Sequence, residues 1–524
     1  MTRLLPQYDV AVVGLGPVGA VAAQLLAREG LSVFAADPAL SPYDKPRAIG
    51  LDHEALRVLQ SIGIADDFAS SLGAYRPSEY RSASGQVLRR IIPAPEPHPL
   101  GWPPYNTFMQ PELENLLRDG FSRWPNVTVA LGARCQTIEQ GDELVRLTLE
   151  QSDGSAPFEV TARYAIGCDG AWSPVREAMG LPLEDLEFDE PWLVIDMLVN
   201  EQARLPDVTI QYCDPARPST FVPGPKTLRR WEIMLLPGED PVEMAKEDSV
   251  WALLSRWMTP EQGRIWRTAT YRFHALVAGS WQRGRVFIAG DAAHQTPPFM
   301  AQGLNQGFRD VANLCWKIGE VVKHGADPAM LDSYDEERRP NAKAVIELTK
   351  AFGRLICERD PAAAAERDAR MLDEMRSGRG EMVRQDLLPP ICGGFLFRTA
   401  DGALSPAAGT IFPQPWISTD TGLRRMDDGF DARFLMVFDG PPEIDLAVQA
   451  QARGLGVTLA VVGDRFPAEG MAVIEEKDPL VSDWMKRHGA RVALVRPDHV
   501  VFGTGGSHAD ARTLLDGLGQ LRGE

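Results

Sequence analysis

Residues 9–37 leave the chain little choice: a strand, a tight turn, a helix and a second strand follow one another. Asp9-Val10-Ala11-Val12-Val13 is apolar and β-branched, and Val18 to Arg28 is helix-forming. Gly30 suits a helix C-terminus, and Leu31-Ser32-Val33-Phe34-Ala35-Ala36-Asp37 reads as strand again. The connection, Gly14-Leu15-Gly16-Pro17-Val18-Gly19, carries three glycines that permit a tight turn and close backbone approach. A pyrophosphate can then sit on the positive end of the following helix. Asp37 ends the second strand about 20 residues on, where a carboxylate holds a ribose hydroxyl pair.

This fingerprint alone does not separate NAD from FAD. Two later segments do: Gly167-Cys168-Asp169-Gly170-Ala171-Trp172-Ser173-Pro174-Val175-Arg176, and Arg285-Val286-Phe287-Ile288-Ala289-Gly290-Asp291-Ala292-Ala293-His294, running on through Pro298, Gly303, Leu304 and Asn305 to Asp310. In the second, a buried strand ends in Gly-Asp, which places Asp291 at a strand's C-terminal edge, where open α/β sheets bind ligands. The ribityl hydroxyls of a flavin suit such a carboxylate. Glycines ahead of the next helix offer amide donors to the ring edge that carries charge in reduced flavin.

At 524 residues the chain exceeds one core, so two or three domains are expected. A formal net charge of -18 argues against nucleic-acid and anionic-membrane partners, both of which call for basic patches. The six cysteines are scattered with no Cys-x-x-Cys, which reads as reduced, mostly buried thiols and no metal site. The N-terminus lacks the apolar core of a signal peptide, and glycines and a proline interrupt residues 10–26, so no membrane span is expected. The location expected by default is the cytoplasm.

The organisation reads as a first domain over 1–180, resumed over 281–395 with a helical linker. Between its halves, 181–280 reads as an inserted antiparallel sheet with strands near 192–199, 208–212, 230–236 and 270–275. A smaller α/β unit fills 396–524, with strands at 434–438, 457–462 and 491–495. A Pro-rich stretch at 93–104 reads as an irregular surface excursion.

With these segments on the page, the chain resembles the class A FAD-dependent aromatic hydroxylases, and among them the 3-(3-hydroxyphenyl)propionate hydroxylases. The likeness rests on the fingerprint, Pro46-Arg47-Ala48-Ile49-Gly50-Leu51-Asp52, Asn106-Thr107-Phe108-Met109-Gln110-Pro111, and the Asp-Gly and Gly-Asp segments. Cys213-Asp214-Pro215-Ala216-Arg217-Pro218 and Arg496-Pro497-Asp498 extend it over nearly the whole chain. The resemblance implies an α/β fold: a Rossmann-like FAD-binding domain of the para-hydroxybenzoate hydroxylase type, an inserted sheet over the substrate, and a thioredoxin-like C-terminal domain. It implies that Gly14, Gly16, Gly19 and Asp37 hold the AMP half of FAD, and that Arg47 and Gln110 meet the pyrophosphate and ribityl region. Asp291 would meet the ribityl, the 298–305 loop the isoalloxazine, and the region of Asp169 and Arg176 both FAD and NAD(P)H. Where the family suggests Gly-Gln-Gly, this chain has Ala301-Gln302-Gly303.

The activity implied is phenol hydroxylation with O2 through a flavin C4a-hydroperoxide, with NADH favoured over NADPH as electron donor and a homodimer as the assembly. A base or acceptor near the phenol would contribute to rate. Candidates are Asp52, Tyr271 and His274. Asp52 also reads as an N-cap before Glu54-Ala55-Leu56. Tyr271 and His274, three apart on one strand, should point to opposite faces. Arg217 is the expected grip for a substrate carboxylate, with Arg229 and Arg230 as alternatives, although a solvated basic pair is the commoner explanation of those two. The C-terminal unit lacks a Cys-x-x-Cys, and Gly503-Thr504-Gly505-Gly506-Ser507-His508 ends in histidine where a second fingerprint needs glycine.

Overall fold

The computed structural model describes residues 5–74, 76–430, 433–442, 444–463 and 470–523. Residues 1–4, part of the stretch read for a leader, lie outside the described residues.

The first sheet is built on Gln7–Val13, paired in parallel with Val33–Asp37 and Phe158–Gly167. Val127–Leu131 extends one side and Val286–Ile288 the other, both parallel. Val10, Ala11 and Val12 have no exposed surface, as a central parallel strand covered on both faces requires. The helix Pro17–Arg28 follows the glycine turn and packs on the helix Gly303–Lys323, where Cys315 lies 3.7 Å from the carbonyl of Ala22. A Cβ on Gly307 would come within 2.6 Å of Val18, so glycine sets the spacing between these helices.

The second sheet has nine strands, and the 181–280 span supplies five of them: Gly263–Ala278, Leu183–Val199, Leu228–Met234, Ser219–Pro223 and Thr209–Cys213. The others are His294–Gln295, Ser78–Ser82, Val87–Ile92 and Glu381–Val383, so the sheet reaches well outside the inserted segment. Thr209–Cys213 pairs in parallel with Ser78–Ser82 and stitches the insert to the first domain. Ser78-Glu79-Tyr80-Arg81-Ser82 is too polar to announce itself as a strand; its pairing partner decides it. One face of this sheet is closed by the helix Glu247–Leu254, with Leu193, Ile195, Trp231 and Ile233 beneath it. The opposite face, bearing Trp192, Asp196 and Arg230, is turned to the first domain, as the Arg230 contacts with Pro46 and Arg47 show.

The C-terminal sheet runs Ala472–Ile474, Val457–Val462, Phe434–Phe438, Val492–Val495, Val501–Gly505, the first three parallel and the last two an antiparallel hairpin. With helices Leu446–Gly454, Leu480–His488 and Asp510–Arg522 it makes the thioredoxin-like unit, and it contains no cysteine. All six cysteines of the chain are unpaired, and Cys392 is exposed rather than buried.

This unit is anchored by a buried polar cluster. Arg496 donates to Glu337 at 2.8 Å and to Asp498, and Lys317 lies 3.0 Å from the other oxygen of Glu337. Burial works against the Glu337 charge, yet Arg496 and Lys317 outweigh it and hold the carboxyl down to about 2. The stability it lends is therefore full above its ordinary 4.5 and lost as pH falls toward 2. Glu337→Gln should cost about 3–5 kcal/mol at neutral pH by leaving two buried cations underpaired. In acid denaturation followed by circular dichroism, the gap to wild type should close as pH falls toward 2.

Candidate active site

The glycine turn is fixed by its own backbone. Gly14 has φ +94°, and its amide donates to the carbonyl of Ala36 at 2.8 Å. A Cβ on Gly14 would come within 2.5 Å of the Cys168 carbonyl oxygen, and one on Gly19 would overlap that of Gly14. A Cβ on Gly16 would meet nothing within 4 Å. The fold therefore demands glycine at 14 and 19, while open space lies beside Gly16. Gly16 caps the helix with no side chain, and the first turn carries no acid, so its amides stay available to an anion. Asp37 accepts from the amides of Leu15 at 2.6 Å and Ala39 at 2.7 Å, which leaves lone pairs for a ribose.

The same pattern recurs at the helix Gly303–Lys323, which starts with no side-chain cap and no acid in its first turn. Beside Gly303, too, a Cβ would meet nothing within 4 Å. Two capless helix starts facing open space, with Asp291 exposed inside the fold and Arg47 exposed nearby, fit a dinucleotide-sized anion with a polar ring edge. Burial by the protein around Asp291 raises its carboxyl above the ordinary range, against the pull of His294 and Arg47.

Several expected contact residues instead shape the walls. Gln110 accepts from the amides of Arg47 and Ala48 and donates to Glu114, so it braces the segment that presents Arg47. Asp169 accepts from Ser173 and from the Val175 amide at 3.0 Å, closing the turn against which Gly14 lies. Arg176 donates to the carbonyl of Ala292 at 2.8 Å and latches that turn to the Gly-Asp segment. Pro298 begins the short helical turn Pro298–Met300, and Leu304 packs against the main core. Asn305 accepts from the Asp52 amide at 3.1 Å and donates to the Ala301 carbonyl at 2.7 Å, tying strand Gly50–Asp52 to the loop. Ala301 itself has φ +48°, a left-handed conformation that costs an alanine about 1–2 kcal/mol. Its methyl and the hydroxyl of Tyr105 both close on Gly50, which has no room for a Cβ.

The candidate bases separate sharply. Asp52 is 2% exposed and does cap its helix, accepting from the Ala55 amide at 3.0 Å. Its second oxygen accepts from Arg309 at 2.6 Å. Burial opposes its charge, but Arg309, His53 and the Ala55 amide keep the carboxyl below its ordinary range. The helix amide and Arg309 hold its charge, which makes Asp52 a weaker base than an ordinary carboxylate and gives it a positioning part. His274 is a correction as well: it lies across from Asp189 on the face bearing Arg272, its Nδ1 3.5 Å from Asp189. Tyr271, across from Trp192, lies on the face turned to the first domain and receives a hydrogen bond from Arg267.

Arg217 does not reach this face. It pairs with both oxygens of Glu239 at 2.7 Å and donates to the Met234 carbonyl, closing a turn at the sheet end. The reading of Arg230 as solvated is also wrong: it is buried, bonded to Asp196 at 2.7 Å and to the carbonyls of Pro46 and Arg47. Arg267 joins the same carboxylate at 3.2 Å. Sequence reasoning missed Asp196, Glu232 and Arg267; the period-two placement of Arg230 and Glu232 in an apolar strand was the available signal.

Trp192 stacks on Phe273 at 5.7 Å and meets Phe299 edge-on at 5.6 Å, which brings an aromatic wall from the sheet to the 298–305 loop. Trp192 Nε1 and Arg267 Nε are buried donors without a partner among the described residues. Gly16→Val should leave the melting temperature of the apo-protein unchanged but weaken FAD uptake by about tenfold or more, read by flavin absorbance. Gly19→Ala should instead fail to yield folded protein.

An FAD binding domain family matches residues 7–349, and a HcaD C-terminal domain family matches residues 409–520. The chain is 34% identical over 513 residues to 3-(3-hydroxy-phenyl)propionate/3-hydroxycinnamic acid hydroxylase 2 of Burkholderia vietnamiensis, covering 94% of this chain and 93% of that one. It is 33% identical to a probable NADH-specific resorcinol 4-hydroxylase of Rhodococcus jostii, with 94% and 91% covered. Among solved structures, the flavin-dependent monooxygenase PieE superposes with a TM-score of 0.81 over 99% of each chain, and at 20% identity this is a likeness of fold. With its glycine turn, its two open helix starts and these matches over most of its length, the chain belongs to the FAD-dependent aromatic hydroxylases.

Proposed function

We propose that this chain is an FAD-dependent monooxygenase that uses NADH and O2 to hydroxylate a phenolic ring, with 3-(3-hydroxyphenyl)propionate or a related phenolic acid as substrate. The observation that carries the reading is one sheet face that combines an aromatic wall with polar groups left without partners. Trp192, Phe273 and Phe299 form the wall, and the unpartnered donors Trp192 Nε1 and Arg267 Nε stand on the same sheet face. Buried polar atoms without partners are costly, so this face suits a ligand that is both aromatic and hydrogen-bonding.

FAD, when bound, supplies the redox chemistry, taking a hydride from NADH and delivering one oxygen atom of O2 to the ring. The glycine turn and Asp37 would hold its AMP half, Arg47 and Asp291 its middle, and the amides at Gly303 its ring edge. The rest falls to the protein. Arg230 and Arg267 share the charge of Asp196, with Glu232 4.0 Å from Arg230, so the cluster carries one positive charge in excess when Glu232 is protonated, apt for a substrate anion. Tyr271, oriented by Arg267, offers a hydroxyl to the substrate. Asp52 acts through Arg309, which also reaches Gln302 at 3.2 Å and so steadies the 298–305 loop. The names of the relatives from Burkholderia vietnamiensis and Rhodococcus jostii support a phenolic substrate and NADH. A homodimer in solution completes the reading and is measured by light scattering.

The test is NADH oxidation by the flavin-loaded protein, with and without 3-(3-hydroxyphenyl)propionate, and the product weighed by mass spectrometry. Stimulated oxidation and a gain of one oxygen atom are expected. Oxidation that yields only hydrogen peroxide with this phenol and with resorcinol would overturn the assignment to phenolic substrates. Arg267→Met should raise KM for the phenolic acid about tenfold or more, with a smaller effect on a phenol that lacks the carboxylate.

A further inference from the structure

Glu232 lies midway along the strand Leu228–Met234 and is 7% exposed. The alternation of that strand puts it on the face of Arg230, and its register partners are Val194 and Thr220. It thus shares a sheet face with Asp196, Arg230 and Trp192, the face turned toward the flavin-binding domain. Its carboxylate makes no hydrogen bond among the described residues; the nearest cation is Arg230 Nη1 at 4.0 Å. Thr220, the neighbour that could donate, is turned to Gln211 at 2.5 Å. An ionised carboxylate held this way lacks the donors that buried charges ordinarily have.

Two carboxylates beside it are held by cations: Asp196 by Arg230 and Arg267, and Asp52 by Arg309 and its own helix. Glu232 alone of these three makes no hydrogen bond among the described residues. We propose that Glu232 is a catalytic residue that accepts the proton of the substrate's ring hydroxyl, an inference that rests on the phenol-hydroxylase reading above. The O–H bond of the phenol breaks, its electron pair stays on oxygen as phenolate, and the proton passes to a carboxylate oxygen of Glu232. The phenolate activates the ring carbon for oxygen transfer, and the proton leaves Glu232 to solvent before the next turnover.

The charged groups that act on Glu232 are Arg230 on its own strand and Asp196 on the adjacent one. Burial raises its carboxyl, and Asp196 adds to this against the pull of Arg230, so that it titrates at about 7. A carboxylate in that range is a stronger base toward a phenol than an ordinary one at about 4.3, and is still half ionised at neutral pH.

The experiment uses the flavin-loaded enzyme, wild type, Glu232→Gln and Glu232→Asp, each checked for wild-type FAD content and melting temperature. Wild-type kcat/KM for 3-(3-hydroxyphenyl)propionate should rise with pH through a midpoint near 7, the direction of a group that works when deprotonated. Glu232→Gln should lose that limb and about 100- to 10,000-fold of kcat with little change in KM, while Glu232→Asp keeps the limb at a lower rate. Binding provides a second readout: calorimetry of the same phenol in buffers of different ionisation enthalpy should show proton release below pH 7 for wild type and none for Glu232→Gln. A Gln variant that keeps the pH limb and the proton release overturns the proposal while leaving the hydroxylase reading intact. Wild-type enzyme that makes no hydroxylated product overturns that reading, and this inference with it.

Discussion

Everything in the molecule is arranged around the approach of two backbones at Gly14, Gly19 and Cys168. Helix Pro17–Arg28 can sit close over the first strand only because no side chain stands at Gly19, and the turn can nestle against Cys168 only because none stands at Gly14. That closeness aims the uncapped helix amides at open space and sets where the helix Gly303–Lys323 can pack. The second open helix start lies at the end of that packing chain. Both anion-receptive ends are thus consequences of one steric constraint.

The sheet laid over this space is held by charge as much as by apolar contact. Asp196 gathers Arg230 and Arg267, and both guanidiniums reach out to the carbonyl of Pro46. The inserted sheet is in this way fastened to the segment that presents Arg47. Its opposite face is largely apolar under the helix Glu247–Leu254, with Leu193, Ile195, Trp231 and Ile233 packed there, so this part of the sheet serves stability. The C-terminal unit adds a third anchor through Arg496 and Glu337, contacting the two helices that run back from the site.

The glycine turn of the first domain and the strands Phe434–Phe438 and Val457–Val462 of the C-terminal unit were legible because local sequence and structure agree there, and they fall where their composition puts them. The Asp52 cap was legible for the same reason, since an N-cap is a contact three residues away. Arg217 was misread because its partner, Glu239, sits beyond the two strands Ser219–Pro223 and Leu228–Met234. The polar strand Ser78–Ser82 escaped notice because its composition is poor in β-branched and apolar residues; pairing with Val87–Ile92 on one edge and Thr209–Cys213 on the other makes it a strand.

By itself the sequence determined the cofactor fold and the family, because glycines at fixed spacing and a carboxylate at a strand end are local steric and electrostatic demands. It also determined that Tyr271 and His274 part company, since a strand alternates its faces. Only the tertiary structure decided which of the two faces the flavin domain, and that Asp52 is bound by Arg309 while Glu232 is left without a donor. The reason is physical: whether a carboxylate is a cap, a salt-bridge partner or a base depends on which groups long-range packing brings within about 3 Å of it, and no local pattern encodes that distance.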